Sequence, residues 1–381
     1  MSMKNVILYI AAGLGLAACS SPSQTIEVSN TLNFARNAEL VSAKVDVSTP
    51  HILKDAEGNE VAYQVSGDGI LFLANVPAKN TTTYTWTAGT PTEVEPLTTA
   101  FFLGNRRKDD FCWENDKAAY RMYGPALLPE NPSSGVDLWL KHSSKLTADA
   151  MFKQEENEGK PYHIDYGLGI DSYKVGHAAG CGGLAIVSDG KIWPGGPFAK
   201  YEILEQGPLQ TVFKLSYDSV QVGSNVLTEE ITITVQAGAN LNKAEVVLNG
   251  TSINDLQLGG AVFLHDSVQN LLVEATRGFF TYCESATSDK GIYKVHEKQG
   301  IDATKLDFGR NYCAVVVPGA KEFAKIDNTE VATRPYKVGD TLTYYFGGAW
   351  SKRDYPTDKD WHDAICLDVR CMEVPLTVIV K

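Results

Sequence analysis

The stretch from Tyr162 to Gly183 contains the densest group of side chains in this sequence that can carry out acid–base chemistry. Histidine can act as a base because its ordinary pKa of about 6.5 leaves much of it neutral at physiological pH. Carboxyl and phenol groups can also transfer protons when they are correctly placed. Glycines within the stretch permit bends that bring separated side chains to one concave site. We therefore predict a catalytic site here, with candidate residues His163, Asp165, Tyr166, Asp171, Tyr173 and His177.

A second group lies between Trp113 and Tyr123 and combines a carboxylate, an amide, a guanidinium and aromatic rings. Aromatic faces stack on sugar rings, while carboxylates and amides bind hydroxyl groups, so this set favours polyol binding. An alternative is a turn of surface helix in which Asp116 forms a salt bridge with Arg121. Glu114 is a further candidate catalytic carboxylate. The predicted substrate-binding residues of this group are Trp113, Asn115, Asp116, Arg121 and Tyr123.

A third group follows the glycine pair at Gly347 and opens a loop with aromatic and basic side chains. Trp350 and Arg353 could place a ring and a cation at the mouth of a cleft, and Trp193 is a further candidate for stacking on a sugar. The alternative is an exposed basic loop before a short helix.

The elements that must position these groups are predicted to be strands. Alternating apolar and polar residues, as in Leu227 to Val235, are broken by glycine-bearing turns through most of the chain. Helix-compatible sequence is confined to Lys145 to Glu158. We predict an all-β protein, with a small N-terminal β-sandwich at 25–97 and a larger β domain at 98–381. Pro91 and Pro96 mark the boundary.

The N-terminus has the features of an exported lipoprotein. A lysine and a short apolar run precede Leu16-Ala17-Ala18-Cys19, a lipobox. The run is shorter than the roughly 20 residues that span a bilayer. We predict a signal peptide at 1–18, acylation of Cys19 and a flexible tether at 19–24. The protein is then lipid-anchored in the cell envelope, at the outer membrane or in the periplasm, and contacts the membrane through its lipid alone.

Composition limits the possible partners. The chain has 381 residues and a formal net charge of −12, and it shows no basic stripe, which argues against nucleic-acid binding. Its 44% hydrophobic content is typical of a globular protein. Beyond Cys19 the cysteines are scattered, so most are expected to be buried apolar residues, with Cys366 and Cys371 as the best disulfide candidates. The oligomeric state is left open.

Three separated motifs together resemble one family. The segments WENDKAAYRMYGPAL, YGLGIDSYKVGHAAGCGG and GGAW, in that order, are similar to the family known as domain of unknown function 4861. The resemblance covers essentially the whole mature chain. It implies an exported protein, encoded beside polysaccharide-degrading enzymes, whose fold is a galactose mutarotase-like β-supersandwich. It supplies no catalytic residues.

The motifs permit three classes of function: a lyase or hydrolase that cleaves a glycan, a mutarotase or epimerase, and a glycan-binding protein. A lyase acting on a uronate needs a group that neutralises the carboxylate, a base and an acid. Arg121 or Asn115 can fill the first role, His163 or His177 the second, and Tyr166 or Tyr173 the third. A hydrolase would use a carboxylate pair, Glu114 with Asp165 or Asp171. A mutarotase or epimerase would pair His177 with Glu114 or Asp171, and a glycan-binding lipoprotein would need no catalysis.

Cations beside the motifs favour an acidic oligosaccharide as substrate. An acidic chain that keeps basic residues next to its candidate site can meet an anion there. The residues concerned are Arg106, Arg107, Arg121, Lys174 and Arg353. No cofactor is predicted. A divalent metal on His163, Asp165 and His177 is an alternative, although their spacing matches no strong ligand signature.

Overall fold

The computed structural model describes residues 23–129, 134–266, 270–288 and 290–381. The chain begins with a small sandwich in which alternate apolar residues, such as Ile26 and Val28, face a core with Phe72 and Trp86. Its strands are β1 Gln24–Asn30, β2 Arg36–Ala43, β3 His51–Lys54, β4 Glu60–Val61, β5 Tyr63–Ser66, β6 Gly69–Val76 and β7 Asn80–Ala88.

A five-stranded antiparallel sheet follows and carries most of the side chains discussed below. Its order is β12-β11-β10-β9-β8. The strands are β8 Thr98–Phe102, β9 Asp110–Asn115, β10 Ala119–Tyr123, β11 Asp137–Lys141 and β12 Gly169–Ile170.

The remaining strands form two further sheets. An eight-stranded sheet has the order β15-β16-β17-β18-β25-β22-β21-β20, and a five-stranded sheet has the order β14-β13-β19-β24-β23. The strands are β13 Cys181–Ser188, β14 Lys191–Ile192, β15 Lys200–Gln206, β16 Gln210–Val222, β17 Asn225–Gln236, β18 Asn242–Gly250, β19 Gln257–Phe263, β20 Asn270–Glu274, β21 Phe279–Ser285, β22 Arg310–Val316, β23 Glu322–Ile326, β24 Thr329–Pro335 and β25 Thr341–Trp350.

The eight-stranded sheet packs on both five-stranded sheets through one continuous apolar core. Residues from all three sheets meet there, including Trp113 on β9, Ile186 on β13 and Phe346 on β25. Each sheet thus buries one face against another, which is the arrangement of a large β-sandwich.

The helices lie at the periphery of the sheets: two pack on outer sheet faces, and one borders the cleft described below. They are α1 Ala148–Glu158, α2 Gly291–Lys298 and α3 Asp358–Glu373. Helix α1 begins within the predicted helical stretch. Helix α3 was predicted only as a short helix, but its apolar face, Trp361, Ile365 and Val369, packs on Tyr312 of the large sheet. These three residues are spaced four apart in the sequence, so they lie on one face of the helix.

The chain ends in β26 Thr377–Val380, which pairs with β1 in the N-terminal sandwich. The sequence analysis assigned 98–381 to the larger domain, so this last strand lies elsewhere than expected. A short apolar strand carries no local signal of its pairing partner, because the partner is 350 residues away in the chain.

The structure corrects the prediction that Cys366 and Cys371 form a disulfide bond. Cys366 and Cys371 are free, as are the other described cysteines, Cys112, Cys181, Cys283 and Cys313, which are buried. Cys366 and Cys371 both lie on α3, where five steps of the helix turn them by about 140° to different faces. In the described residues, no helix is both long and apolar enough to cross a bilayer. Cys19 and the predicted signal peptide lie outside the described residues.

Candidate functional site

A cleft of about 820 Å³ is lined by side chains of the neighbouring strands β9, β10 and β11. Its walls come from residues 106–127, from the glycine-rich segment 162–177 and from the start of α2. The glycine-rich segment is largely irregular, as the sequence predicted, and Gly169 shows why glycine is needed. Its φ is +151°, and a Cβ there would lie 1.9 Å from the Leu140 carbonyl oxygen. Close approach of the backbone to β11 therefore positions this wall.

Arg121 lies at the base of the cleft, surrounded by three buried carboxyl groups. It donates to Asp137 at 2.6 Å and to Asp110 at 3.3 Å. A third bond of 3.2 Å reaches Asp171, in the glycine-rich segment. The strand register places Arg121 close to both Asp137 and Asp110. Arg121 lies directly opposite Asp137 on β11, and on β9 it lies opposite Cys112, two residues from Asp110. The cleft floor is thus a fixed ionic cluster.

This cluster has more acidic than basic groups at its centre. Burial raises the pKa of Asp110 to about 6, although Arg121 opposes the shift. Burial also raises the pKa of Asp171 well above its ordinary value, and the nearby charge of Asp137 adds to the rise. One oxygen of Asp110 and one of Asp137 are buried without a hydrogen-bond partner among the described residues. The cluster therefore tends to hold a proton on a carboxyl group.

His163 lines the cleft beside this cluster and is the best candidate for a base. Its Nδ1 lies 2.9 Å from the carbonyl oxygen of Asp171. Because a carbonyl can only accept, Nδ1 carries the proton and Nε2 keeps a lone pair. Burial lowers the pKa of His163. The ring is therefore neutral near pH 7 and able to accept a proton at Nε2.

Tyr162 is a functional candidate that sequence reasoning missed. Its phenolic oxygen accepts hydrogen bonds from two guanidinium groups, those of Arg107 and, at 3.2 Å, Arg121. Its ring lies 4.5 Å from the His163 ring, centroid to centroid, and stacks on Trp139 at 4.6 Å. The available signal was its position as the first residue of the glycine-rich stretch, directly before His163.

A buried network behind the cleft was also missed. His265 contacts the Lys174 carbonyl oxygen through Nε2 at 2.6 Å and the Glu284 carboxylate through Nδ1 at 3.1 Å. Glu284 also accepts from Tyr282 at 2.9 Å and from Asn311 at 3.3 Å. These bonds tie the backbone of the cleft wall to the large sheet. The network therefore acts as support rather than as a surface for substrate.

Other predicted residues also line the cleft. His177 is exposed on its wall, and Tyr123 is buried beneath Arg121, whose guanidinium carbon lies 5.2 Å from its ring centroid. Tyr173 lines the cleft too, but its hydroxyl donates to the Phe263 carbonyl oxygen at 2.9 Å. That bond commits the Tyr173 proton to the backbone, which argues against its predicted role as acid.

The side chains at the end of β9 and in the turn after it make contacts within the fold, instead of the contacts with substrate that the sequence predicted. Glu114 is buried and accepts from the backbone N–H groups of Thr147 and Ala148, at the start of α1. Trp113, Asn115 and Asp116 contribute to the core and to turns. Trp113 donates to Asn242 in the apolar core, Asn115 donates to the carbonyl oxygens of Gln236 and Ala239, and Asp116 accepts from the Gly238 backbone.

The structure also places the remaining candidates away from the cleft lining. Asp165 pairs with His142 at 2.6 Å, and Tyr166 lies beside Lys160. The third group lies elsewhere as well. Trp193 donates to the Ser188 carbonyl oxygen, Trp350 is buried and donates to Phe308, and Arg353 donates to the Lys117 carbonyl oxygen.

The alternative metal site does not assemble as the sequence suggested, because Asp165 is engaged with His142 while His163 faces Asp171. Among the residues that the structure describes, no group of three or more His, Cys, Asp or Glu side chains is arranged to hold a metal ion.

In the residues that the structure describes, the fold is all-β, with a small sandwich joined to a larger supersandwich that carries the cleft lined by His163 and Arg121. The chain belongs to the family described as domain of unknown function (DUF4861), whose model matches residues 28–378. It is 26% identical, over the full length of both chains, to a protein of Formosa agariphila described as uncharacterized protein P7.

Two solved structures from Enterococcus faecalis share its fold. One is an α-mannosidase, with a TM-score of 0.54, and the other is a protein of glycosyl hydrolase family 38, with a TM-score of 0.55. Each is 9% identical and matches 94% of this chain. The chain spans slightly less than half of those proteins, 46% and 47%. The likeness confirms the predicted fold class, a small β-sandwich followed by a galactose mutarotase-like β-supersandwich.

Proposed function

We propose that this protein is a carbohydrate-active enzyme that cleaves uronate-containing oligosaccharides by β-elimination. The observation that carries the proposal is His163, which lines an open cleft and whose Nδ1 is bonded to the Asp171 carbonyl oxygen, so that Nε2 keeps the lone pair. Elimination begins with removal of the weakly acidic proton at C5 of a uronate, and a positioned neutral base contributes about 10² to 10⁴ to such a step. His163 supplies that base.

The charge of the cleft rim supports an acidic substrate. Lys108 and Lys174 are exposed at the rim of a protein whose overall charge is −12. Arg107 lies beside them and forms ion pairs with Glu155 at 3.0 Å and Asp110 at 3.7 Å. A carboxylate bound near Lys108 and Lys174 gains negative charge as the proton on its α-carbon leaves, and the two cations stabilise the enolate that forms.

A second candidate function is hydrolysis. The observation that favours it is Asp110, because a buried carboxyl group whose pKa is raised to about 6 suits a general acid. Asp171 would then be the second carboxyl group, in place of the predicted pair with Glu114. The fold is also that of part of an α-mannosidase, which is consistent with either reaction on a glycan.

The test is incubation of the full mature chain with a panel of acidic and neutral glycans. Ultraviolet absorbance of the conjugated C4=C5 product and new reducing ends are followed together. A rise in both supports elimination, whereas reducing ends alone support hydrolysis. Conversion between anomers or epimers without cleavage would favour a mutarotase or epimerase, and binding without any reaction would favour a capture protein.

Two histidine variants make the assignment specific. We expect His163→Ala to lower turnover by about 10² to 10⁴. His142→Ala is the matched control, since its side chain is 35% exposed, against 38% for His163, and is likewise hydrogen-bonded but does not line the cleft. Equal losses in the two variants would contradict a role for His163 as base.

A further inference from the structure

Tyr162 and His163 both belong to the glycine-rich wall of the cleft. They are adjacent in the chain, both line the cleft, and their ring centroids are 4.5 Å apart. An acid and a base that handle opposite faces of a sugar ring must stand on opposing walls, with the ring between them. This pair stands on one wall and can address only one face of a bound ring.

The phenolic oxygen of Tyr162 is prepared to carry negative charge. It accepts hydrogen bonds from Arg107 and Arg121, and no described residue accepts its own proton. Two cationic donors on one oxygen stabilise the phenolate that remains after proton transfer. Burial meanwhile raises the pKa of Tyr162, against the opposing charges of Arg121 and Arg107, so the group is protonated before the reaction.

We propose that Tyr162 is the catalytic acid, that it acts on the same face as the base His163, and that the elimination is therefore syn. This inference rests on the proposed function and deepens it. Nε2 of His163 takes the proton from C5, and the electron pair of that bond forms the C4=C5 double bond. The C4–O4 bond breaks, and the departing oxygen takes the phenolic proton of Tyr162. The imidazolium then returns its proton to the phenolate directly or through solvent.

A syn elimination selects the substrate by its configuration. The hydrogen at C5 and the oxygen at C4 must lie on the same face of the ring. They do so in D-glucuronate and D-mannuronate, but the C4 epimer D-galacturonate places them on opposite faces. The geometry therefore assigns glycans cleaved at a D-glucuronate or D-mannuronate residue as the substrate class and disfavours galacturonans.

The first experiment compares wild-type protein on glucuronate- or mannuronate-containing oligosaccharides and on oligogalacturonates of the same length. We expect kcat/KM for unsaturated product to be at least about 100-fold higher with the first group, the scale of a missing acid. Preference for galacturonates would overturn the syn assignment. Absence of unsaturated product from every uronate would overturn both the proposed function and this inference.

The second experiment isolates the acid. We expect Tyr162→Phe to lower kcat by about 10² or more with a sugar leaving group. The loss should be small with a uronide that carries an aryloxy group at C4, since that oxygen leaves without protonation. Tyr63→Phe is the control, because it also removes a phenolic hydrogen bond, one that is partly buried and reaches the His51 carbonyl oxygen, but lies in the N-terminal sandwich. Equal losses of Tyr162→Phe on both substrates would indicate a structural role and overturn the assignment.

A milder variant covers the case in which Tyr162→Phe does not fold. Arg107→Gln removes one of the two cationic donors to the phenol while changing a side chain that is 35% exposed. We expect about a 10-fold loss of kcat with the sugar leaving group and little change with the aryloxy group, the scale of one charge-assisted hydrogen bond. No dependence of the loss on the leaving group would count against Tyr162 as acid.

Discussion

Lys141 and Glu114 form a fully buried ion pair of 2.6 Å beneath the first turn of helix α1. The same carboxylate accepts from the backbone N–H groups of Thr147 and Ala148, at 2.5 and 2.9 Å. It therefore satisfies two helix N-terminal donors and one buried cation at once. With the Thr147 hydroxyl, which also donates at 3.2 Å, the carboxylate is held by four donors. It is placed for stability, and this position decides how a variant at Glu114 should behave.

We expect Glu114→Ala to lower the free energy of unfolding by about 3–5 kcal/mol, because the buried charge of Lys141 is left without its carboxylate and keeps only the Asn115 carbonyl oxygen. Activity per folded molecule should be retained. Urea denaturation measures the first quantity and the glycan assay the second. Glu156→Ala, which removes an exposed pair of α1 with Arg106, should cost no more than about 1 kcal/mol. Lost turnover at unchanged stability would return Glu114 to the catalytic role that the sequence predicted.

Asp110 should make stability fall as pH rises through the mildly acidic range. Its pKa is raised from 3.8 to about 6 in the folded state, so the folded protein holds this proton more tightly than the unfolded chain. The resulting stabilisation is fully present below about 3.8 and is lost as pH rises through about 6.

The corresponding variant is Asp110→Asn, which cannot ionise. Its stability should fall less between pH 4 and pH 6.5, by roughly 2–3 kcal/mol relative to wild type. Urea denaturation across this pH range gives the comparison. Asp368, whose pKa is also raised to about 6, should leave the Asp110→Asn variant with some remaining dependence of stability on pH. The exposed Asp302→Asn serves as control, and the same change in both variants would show that Asp110 is not the source.

The thiols should be free and mostly protected. Cys112, Cys181, Cys283 and Cys313 are buried, and Cys366 and Cys371 are partly buried without a bond between them. Alkylation without a reducing agent should label all six after unfolding, and in the native protein the four buried thiols should resist labelling. Mass spectrometry counts the added groups. A mass lower by two hydrogens, with two thiols unlabelled after unfolding, would reveal a disulfide.

The lipobox Leu16-Ala17-Ala18-Cys19 leads us to propose that the protein is lipid-anchored in the cell envelope. Cys19→Ala removes the only atom that the lipid can be attached to in this motif. The variant should move from the membrane fraction to the soluble fraction or remain as an uncleaved precursor. A processed variant that still partitions with membranes would refute the proposal. Ser20→Ala is the control and should fractionate as wild type.

The sequence by itself determined the fold class and singled out the stretch that forms one wall of the cleft. Strand alternation and turn glycines indicate an all-β chain because their periods are local, and the glycine-rich stretch marks the cleft wall because only such a backbone can turn so tightly. His163, Asp171 and His177 were found in this way, and all three line the cleft. Arg121 was predicted as a binding residue because aromatic, amide and carboxylate side chains surround it in the second group.

Only the tertiary structure decided which of these side chains meet, because strand pairing joins residues that are distant in the chain. Asp110, Arg121 and Glu114 share one face of their sheet, yet the register sets Asp110 and Arg121 at the cleft and Glu114 beneath α1. The alternation of residues along a strand assigns each side chain to a face of the sheet, but it does not identify the side chains on other strands that lie beside it. Tyr162 gained its importance in the same way, since two guanidinium groups from other segments converge on an oxygen that the local sequence leaves unremarkable.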